Sequence, residues 1–424
     1  MNRGFYIIMA AQFFSSLADN ALLIAAIALL IDLYAPAYLT PLLKFSFVIS
    51  YVMFAPFVGA FADSMPKGRV MFISNTVKIM GCGLLFFAWN QDLALAAYAI
   101  VGLGAAAYSP AKYGILTELL PAEKLVVANG WIEGLTVTSI VLGTVLGGVL
   151  IAPAISAKLL GFDFPFIDTG VNTTPEASIL IIATFYGIAA TFNLFIPNTG
   201  VDHRILNKNP LFLLHEFWHC MKLLWTDKLG QISLAVTTLF WGAGATLQFI
   251  VLEWADTALG YPLSKATQLQ GVVAIGIAIG AVMAARLVSL RQSVKVIPLG
   301  IAMGIVVMAM IVVRDLWLAV LLLMLVGGLA GFFVVPMNAL LQHRGHILMG
   351  AGHSIAVQNF NENLSILAML GVYAALVKFE VHIYIVIVLF GSFVAAVMML
   401  IRRWHLLNQS KEDSLHLIGA HKGH

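Results

Sequence analysis

Charged side chains are scarce in this sequence. Asp, Glu, Lys and Arg make up 10% of its 424 residues, whereas hydrophobic residues make up 61%. A soluble domain carries roughly 25% charged residues, and a fold with so few charges would expose too much apolar surface to water. The composition therefore excludes an ordinary soluble protein and indicates a chain surrounded largely by lipid.

Cysteine and the motifs of several enzyme classes are also rare or missing. The two cysteines, Cys82 and Cys220, fit neither a disulfide framework nor a metal-binding spacing. No G-x-x-x-x-G-K-[ST] motif is present to cradle a nucleotide phosphate. We find neither the nucleophile–base pair nor the metal cluster that a membrane-bound lipid enzyme needs. We predict a protein that is not an enzyme and uses no cofactor, metal or nucleic acid.

Long apolar runs occupy most of the sequence. A helix crosses the bilayer hydrocarbon with about 20 apolar residues, and backbone groups in hydrocarbon must pair within the helix. The predicted fold class is an all-α membrane protein with about twelve transmembrane helices. The predicted spans are 5–34, 40–62, 69–90, 93–118, 125–152, 178–197, 229–255, 266–286, 294–313, 316–341, 350–377 and 381–401.

The segment between the sixth and seventh predicted spans is more polar. It combines charged residues such as Arg204 and Lys222 with the apolar pieces 211–214 and 217–218, as an amphipathic helix on a membrane surface does. We therefore predict four regions. They are an N-terminal six-helix bundle over 1–197, a cytoplasmic amphipathic linker over 198–228, a C-terminal six-helix bundle over 229–403 and a cytoplasmic tail over 404–424 with His421 and His424 disordered.

Lysine and arginine are distributed asymmetrically across the predicted spans. If both termini are cytoplasmic, 16 of the 23 Lys and Arg residues lie on the cytoplasmic side, Arg344 among them, and five lie outside. The remaining two, Lys78 and Lys112, fall inside predicted spans. Cytoplasmic loops of membrane proteins carry an excess of these residues. The bias predicts a multi-pass protein with both termini in the cytoplasm.

A loop motif and an internal repeat resemble those of the major facilitator fold. The segment from Gly59 to Arg69 resembles the facilitator loop G-x-x-x-D-R-x-G-R, with Ser64 and Pro66 departing from it. A glycine-rich stretch that precedes a proline occurs once in each half of the sequence, and parallel six-helix repeats are typical of this fold. The resemblance implies conformational or gating roles for Gly59, Asp63, Lys67, Arg69, Pro110 and Pro336.

More specific strings resemble the bacterial lysophospholipid transporter family across nearly all spans. They are Ala18-Asp-Asn-Ala-Leu22, Phe54-Ala-Pro-Phe-Val-Gly59, the run from Gly102 to Leu116, the run from Phe240 to Leu247, Gly331-Phe-Phe-Val-Val-Pro336, Asn338-Ala-Leu-Leu-Gln342 and Ala356-Val-Gln-Asn359 with Glu362-Asn363.

This resemblance implies a function. The chain is expected to be a monomer of the bacterial inner membrane that moves lysophospholipids, chiefly lysophosphatidylethanolamine, from the outer to the inner leaflet by alternating access. A cytoplasmic acyltransferase–acyl carrier protein synthetase is the implied partner, which would re-acylate the product. None of the histidines begins the acyltransferase motif H-x-x-x-x-D, so we expect the transport unit only. The alternative is a proton-coupled exporter of drugs or small solutes on the same fold.

Carboxylates inside predicted spans are the first candidates for the binding site, because charge in hydrocarbon is costly. Asp19, beside Asn20, is interpreted as a cation or proton site, with a helix-packing hydrogen bond as the alternative. Glu362 and Asn359 lie one turn apart on one helix face and suit an ammonium group. The alternative for Glu362 is a buried acid that pairs with another helix.

Basic and amide residues complete the predicted site. Lys112, beside Tyr113 and just after Pro110, is expected to hold a phosphate, with snorkelling to the interface as the alternative. Lys78 is interpreted as snorkelling. Gln248 stands where relatives carry an arginine, and His353 and Gln358 are polar candidates near it. The predicted substrate-binding residues are Asp19, Asn20, Lys112, Tyr113, Gln248, Asn359 and Glu362.

Overall fold

A computed structural model describes residues 3–35, 39–152, 155, 160, 171–201, 209–261 and 263–411. Within these ranges the regular structure is helical, with fourteen α-helices and three short 3-10 turns. We number the α-helices α1 Arg3–Asp32, α2 Leu39–Met53, α3 Ala55–Asp63, α4 Lys67–Phe86, α5 Gln91–Leu119, α6 Leu125–Leu150, α7 Thr174–Leu194, α8 Pro210–Thr226, α9 Gly230–Leu259, α10 Leu263–Leu287, α11 Ile297–Met308, α12 Leu316–Met349, α13 Ala351–Lys378 and α14 Ile383–Lys411.

The helices have the length and composition of membrane spans. Among the described residues, eleven helical segments are long and apolar enough to cross a bilayer, and the count is twelve if α2 and α3 form one span. The predicted all-α membrane fold with about twelve spans is therefore confirmed.

The second predicted span is not one straight helix. It divides into α2 and α3, whose axes differ by 60°. Pro56 lies in the first turn of α3, where its missing N–H costs nothing, but its ring prevents the preceding residues from continuing a regular helix. Pro110 and Pro336 behave differently, because α5 and α12 both continue through them.

The described residues of Met1–Leu119 and Thr138–Leu214 form one compact unit, which we name the first unit. Within it α1 packs on α7, and α4 packs on both α5 and α7. Small residues allow this close packing. A Cβ atom at Gly102 would lie 2.6 Å from the backbone oxygen of Phe47 on α2. The helix backbones therefore approach too closely for any side chain at this position.

The described residues of Leu120–Val137 and His215–His424 form the second unit. Within it α10 packs on α12, α9 packs on α13, and α11 packs on α14. The start of α6 also belongs here. The side-chain amides of Asn129 and Gln342 exchange two hydrogen bonds of 3.0 and 2.9 Å, and both residues are buried.

Several helix ends differ from the predicted ones. Helix α12 continues eight residues beyond its predicted end at 341, and α14 continues to Lys411, through the first residues of the predicted tail. Helix α8 lies inside the predicted linker 198–228, of which residues 202–208 lie outside the described residues. His421 and His424 lie outside them too. The predicted domain bounds at 197, 228 and 403 stay predictions.

Candidate functional site

The centre of the first unit contains a buried ion pair between α1 and α4. The ammonium of Lys78 lies 2.8 and 2.9 Å from the two carboxylate oxygens of Asp19. The Lys78 side chain is 1% exposed, whereas that of Asp19 is 23% exposed. The interpretation of Lys78 as a snorkelling residue is therefore wrong, because its charge is compensated inside the unit and has no need of the interface.

Neighbouring polar groups hold both members of this pair. The Tyr186 hydroxyl on α7 donates to Asp19 Oδ1 at 2.7 Å. On α1, the Ser15 hydroxyl accepts from Lys78 Nζ at 3.1 Å and donates to Asn75 Oδ1 at 2.8 Å. Asp19 thus has partners from two helices, α4 and α7, and such networks fix buried polar groups in one geometry.

Helix α5 makes room for the lysine and adds an aromatic contact. Lys78 Nζ lies 5.1 Å from the ring centroid of Tyr108 on α5 and 5.3 Å from that of Tyr186, distances at which a cation is attracted to a ring face. A Cβ atom at Gly104 would lie 2.7 Å from Lys78 Cγ. The absence of a side chain there leaves the space that the Lys78 side chain occupies.

This arrangement presents one accessible charge and one enclosed charge. Because Asp19 retains partial exposure while Lys78 does not, a cationic group can approach the carboxylate and compete with the lysine for it. Such a competitor would release the Lys78 ammonium to bind an anion. The role of Asp19 as a cation or proton site stays a prediction, and its principal partner is a residue that we had assigned to the interface.

Three further predicted site residues of the first unit make local contacts. The side-chain amide of Asn20 donates to the Ser16 carbonyl of its own helix at 2.8 Å. Lys112 is buried, and its ammonium lies 4.1 Å from the Tyr113 ring centroid. Lys112 and Tyr113 therefore come together as a cation–π pair. Phosphate binding by Lys112 stays a prediction.

The second unit contains amides and a carboxylate on α12 and α13. The Gln358 side-chain nitrogen donates to Glu362 at 2.7 Å and to the side-chain oxygen of Asn338 at 3.0 Å. Asn338, Gln358, Asn359 and Glu362 are all buried. Glu362 and Asn359 thus share a buried stretch of α13 as predicted, but the residue bonded to Glu362 one turn earlier is Gln358.

Gln248 lies apart from these amides. It is exposed, and its side-chain nitrogen donates to Gln270 on α10 at 3.2 Å. The Gln270 side chain donates in return to the Gln248 carbonyl at 3.0 Å. His353 lies 3.5 Å from Glu216 on α8. Gln248 therefore contacts α10, and the described contacts of His353 and Gln358 lie elsewhere in the unit.

The facilitator-like loop forms a second charged cluster in the first unit. Lys67 Nζ lies 2.7 Å from Asp63 and 3.4 Å from Glu118 at the end of α5. Glu118 accepts a further hydrogen bond from the Thr199 hydroxyl at 2.9 Å. Asp63 and Lys67 form an ion pair, whereas Arg69 is exposed, and the gating roles stay predictions. Glu118 was missed because its position at the end of a span suggested only an interface residue.

A charged pair of the second unit was also missed. Arg344 on α12 lies 2.6 Å from Asp227, and both side chains are buried. Asp227 also accepts from the backbone nitrogen of Gly230, the first residue of α9, at 2.7 Å. Arg344 lies beyond the predicted span end at 341 but within α12. Asp227 compensates its charge where it is buried.

Sequence comparisons identify known proteins that this chain resembles. The family model described as Major Facilitator Superfamily matches residues 8–367. The chain is 41% identical over 384 residues to the lysophospholipid transporter LplT of Yersinia enterocolitica, with 90% of this chain and 89% of that protein covered. It is also 41% identical over 379 residues to the protein of the same name from Yersinia pestis strain Pestoides F, with 89% and 88% covered.

Solved structures with the same fold are more distant in sequence. A bacterial homologue of the iron transporter ferroportin, in an outward-facing state, superposes with a TM-score of 0.71 at 15% identity, covering 96% of this chain and 100% of that chain. The transporter FucP, in the outward conformation, superposes with a TM-score of 0.68 at 13% identity, with 95% and 98% covered. At such low identity the likeness concerns the fold alone.

Proposed function

The chain belongs to the major facilitator superfamily and, within it, to the lysophospholipid transporter family, and on this premise we propose that it transports lysophospholipids. Two relatives of 41% identity carry that name. In this proposal the chain carries lysophosphatidylethanolamine and related lysolipids from the outer to the inner leaflet of the bacterial inner membrane. The superfamily moves its substrates by alternating access, which exposes one site to each side in turn.

The ion pair of Asp19 and Lys78 is the observation that carries the proposal. The ethanolamine headgroup ends in a primary ammonium, which is the same group as a lysine side-chain terminus. It can therefore take the place of Lys78 on the partly exposed Asp19 carboxylate. The released Lys78 ammonium then faces the substrate phosphate. A zwitterion compensates both charges of the site at once, which a singly charged solute cannot do.

Two further groups are proposed to contact the headgroup. Lys112 provides a second ammonium in the first unit, stacked on Tyr113, and suits a phosphate oxygen. Glu362 provides a carboxylate in the second unit that already accepts from Gln358. The proposed partner of Lys112 is the phosphate, and the proposed partner of Glu362 is the amine.

Uptake into proteoliposomes tests the proposal. Purified protein reconstituted at known density should take up labelled lysophosphatidylethanolamine, and unlabelled lysophospholipid should compete. Parallel vesicles with imposed proton or sodium gradients identify the energy coupling. Transport that collapses with the proton gradient and ignores lysolipid competition would favour the alternative, a proton-coupled exporter of small solutes.

Membrane orientation and partner are part of the same proposal. The charge bias supports cytoplasmic termini, so α8 would lie on the cytoplasmic side together with Lys222. A Lys222→Cys variant that lacks Cys82 and Cys220 should react with an impermeant thiol reagent in inverted vesicles and resist it in intact cells. The proposed product in the inner leaflet is a substrate for a cytoplasmic acyltransferase–acyl carrier protein synthetase.

A further inference from the structure

A groove lies among α10, α11 and α12 of the second unit. Its volume is about 450 Å³, and the described residues that line it are apolar side chains and two glycines. We name it the α10–α12 groove and define it by Ile279, Met283, Leu299, Leu325 and Phe332, with Gly328 on its floor. It is separate from the ion pair and the amides described above.

The glycines where α10 crosses α12 fall into two kinds. A Cβ atom at Gly276 would lie 3.0 Å from the Gly328 nitrogen, and one at Gly280 would lie 2.9 Å from the Phe332 nitrogen. A Cβ atom at Gly331 would lie 2.9 Å from the Ile277 carbonyl carbon. These three glycines have no side chain because the two backbones touch.

Gly328 is different from the other glycines at this crossing. The nearest atom to a Cβ built there is the Gly276 oxygen at 3.8 Å, which is an ordinary contact distance. Helix packing therefore does not require glycine at this position, and glycine is unfavourable inside a helix. A side chain at position 328 would fill part of the groove.

The surroundings of the groove indicate what occupies it. Ile279 and Met283 on one wall are each 47% exposed, and Leu325 is 49% exposed. These residues belong to candidate membrane spans, and exposed apolar side chains on such spans suit contact with bilayer hydrocarbon. Its apolar lining excludes a headgroup, and its volume falls in the roughly 300–1,000 Å³ range of ligand pockets.

The groove and the polar residues of α12 lie on different sides of the helix. Asn338 follows Phe332 by six residues, which places the two about 120° apart around a helix of 3.6 residues per turn. Phe332, which lines the groove, and Asn338, which accepts from Gln358, therefore lie on different sides of α12. Chain recognition and headgroup recognition are thus separable in this unit.

We infer that the α10–α12 groove binds the acyl chain of a lysophospholipid taken from the bilayer. The inference rests on the proposed function and names where the single chain of that substrate is held. Gly328 is the specificity-determining residue, because its missing side chain provides the depth of the groove. A two-chain phospholipid would leave its second chain outside this one groove.

Photolabelling in proteoliposomes tests the inference. The probe is lysophosphatidylethanolamine with a diazirine near the end of its acyl chain, and labelled peptides are identified by mass spectrometry. The wild-type chain should be labelled on α10 and α12 peptides that line the groove, and unlabelled lysophosphatidylethanolamine should compete. Gly328→Leu should lose this labelling. Leu325→Trp, which fills the groove from its rim, is the second variant.

Matched controls carry the same changes away from the groove. Gly83 on α4 is exposed, and no atom lies within 4 Å of a Cβ built there, so Gly83→Leu should keep the groove labelling. Leu364 on α13 is 47% exposed, and Leu364→Trp should keep it too. Melting curves of all four variants show which of them remain folded.

The possible outcomes separate this inference from the proposed function. Equal labelling by a two-chain photolipid, without competition by lysolipid, would show an ordinary lipid contact and overturn the inference. Lysolipid uptake by the wild-type chain without groove labelling would also overturn it, and would leave the transport function intact. Groove labelling without uptake would support the chain site and count against transport.

Discussion

The two units handle buried polar groups in different ways. In the first unit, opposite charges on α1 and α4 meet in the Asp19–Lys78 pair, and Asp19 keeps partial exposure. In the second unit the Arg344–Asp227 pair is also buried, but side-chain amides are more numerous among the described buried residues, as in the reciprocal bonds between Asn129 and Gln342. A charged pair that a ligand can enter suits recognition of a zwitterion, whereas a closed amide pair suits fixed packing.

The difference also concerns what happens when one partner is removed. Removing one member of a buried ion pair leaves an uncompensated charge, which costs far more than an unpaired amide. The first unit should therefore respond strongly to single neutralisations and recover when both charges are removed. The second unit should tolerate replacement of its amides by apolar groups of similar size.

The largest expected effect is on the Asp19–Lys78 pair. Lys78→Met should lower the melting temperature by an amount equivalent to about 3 kcal/mol, since the largely enclosed Asp19 carboxylate is left without its cation. Asp19→Asn together with Lys78→Met should recover most of this loss, because no charge remains. Lys222→Met, at an exposed position, is the control. If the Lys78→Met variant is as stable as the wild type, the Asp19–Lys78 pair does not stabilise the first unit.

The second prediction compares headgroups across the two units. Glu362→Gln should impair lysophosphatidylethanolamine more than lysophosphatidylglycerol, which lacks the amine. Lys112→Gln should impair both, because both carry the phosphate. A charge-assisted hydrogen bond contributes roughly 1.5–3 kcal/mol, or about 10- to 150-fold in affinity. Competition uptake assays measure the ratio. Equal losses for both substrates in Glu362→Gln would assign that residue to packing or gating.

The third prediction compares the buried bases Lys67 and Arg344. Lys67 lies between two carboxylates, those of Asp63 and Glu118, so Lys67→Met leaves both facing each other. Asp227, the partner of Arg344, still accepts from the Gly230 backbone nitrogen. Lys67→Met should therefore destabilise the protein more than Arg344→Met, by about 1–2 kcal/mol. Melting temperatures in one detergent measure the difference, and the opposite order would contradict the comparison.

The fourth prediction concerns the amide pair of the second unit. Asn129→Leu should cost about 1–3 kcal/mol, because the Gln342 amide is left buried without a partner. The double variant Asn129→Leu with Gln342→Met should cost less than the single one. Thermal unfolding of the two variants and the wild type provides the test. A double variant less stable than both single variants would show that the pair is not replaceable.

Hydropathy predicted most of the fold. The spans follow from uniform apolar runs, and eleven or twelve of them are present among the described residues. The bend at Pro56 was missed because a window average does not distinguish one helix from two short ones. The extension of α12 was missed because Arg344 is polar in sequence. Its burial depends on Asp227, 117 residues earlier.

The candidate site was predicted only in part, for a similar reason. Asp19 and Lys78 were each recognisable as a charge within a span, and such charges require partners. Their pairing joins residues 59 positions apart, and one sequence does not show which spans are neighbours. Hydropathy located the charges within predicted spans. Only the packing of α1 and α4 on α7 showed which charges compensate each other.

Uptake of labelled lysophosphatidylethanolamine by Asp19→Asn, beside the wild type, tests the central claim most directly. Both proteins are reconstituted at equal density, and melting curves verify that the variant is folded. The account predicts competed uptake by the wild type and a loss of about tenfold or more in the variant, since the ammonium loses a charged acceptor. Near-normal uptake by folded Asp19→Asn would contradict the claim that this carboxylate binds the headgroup.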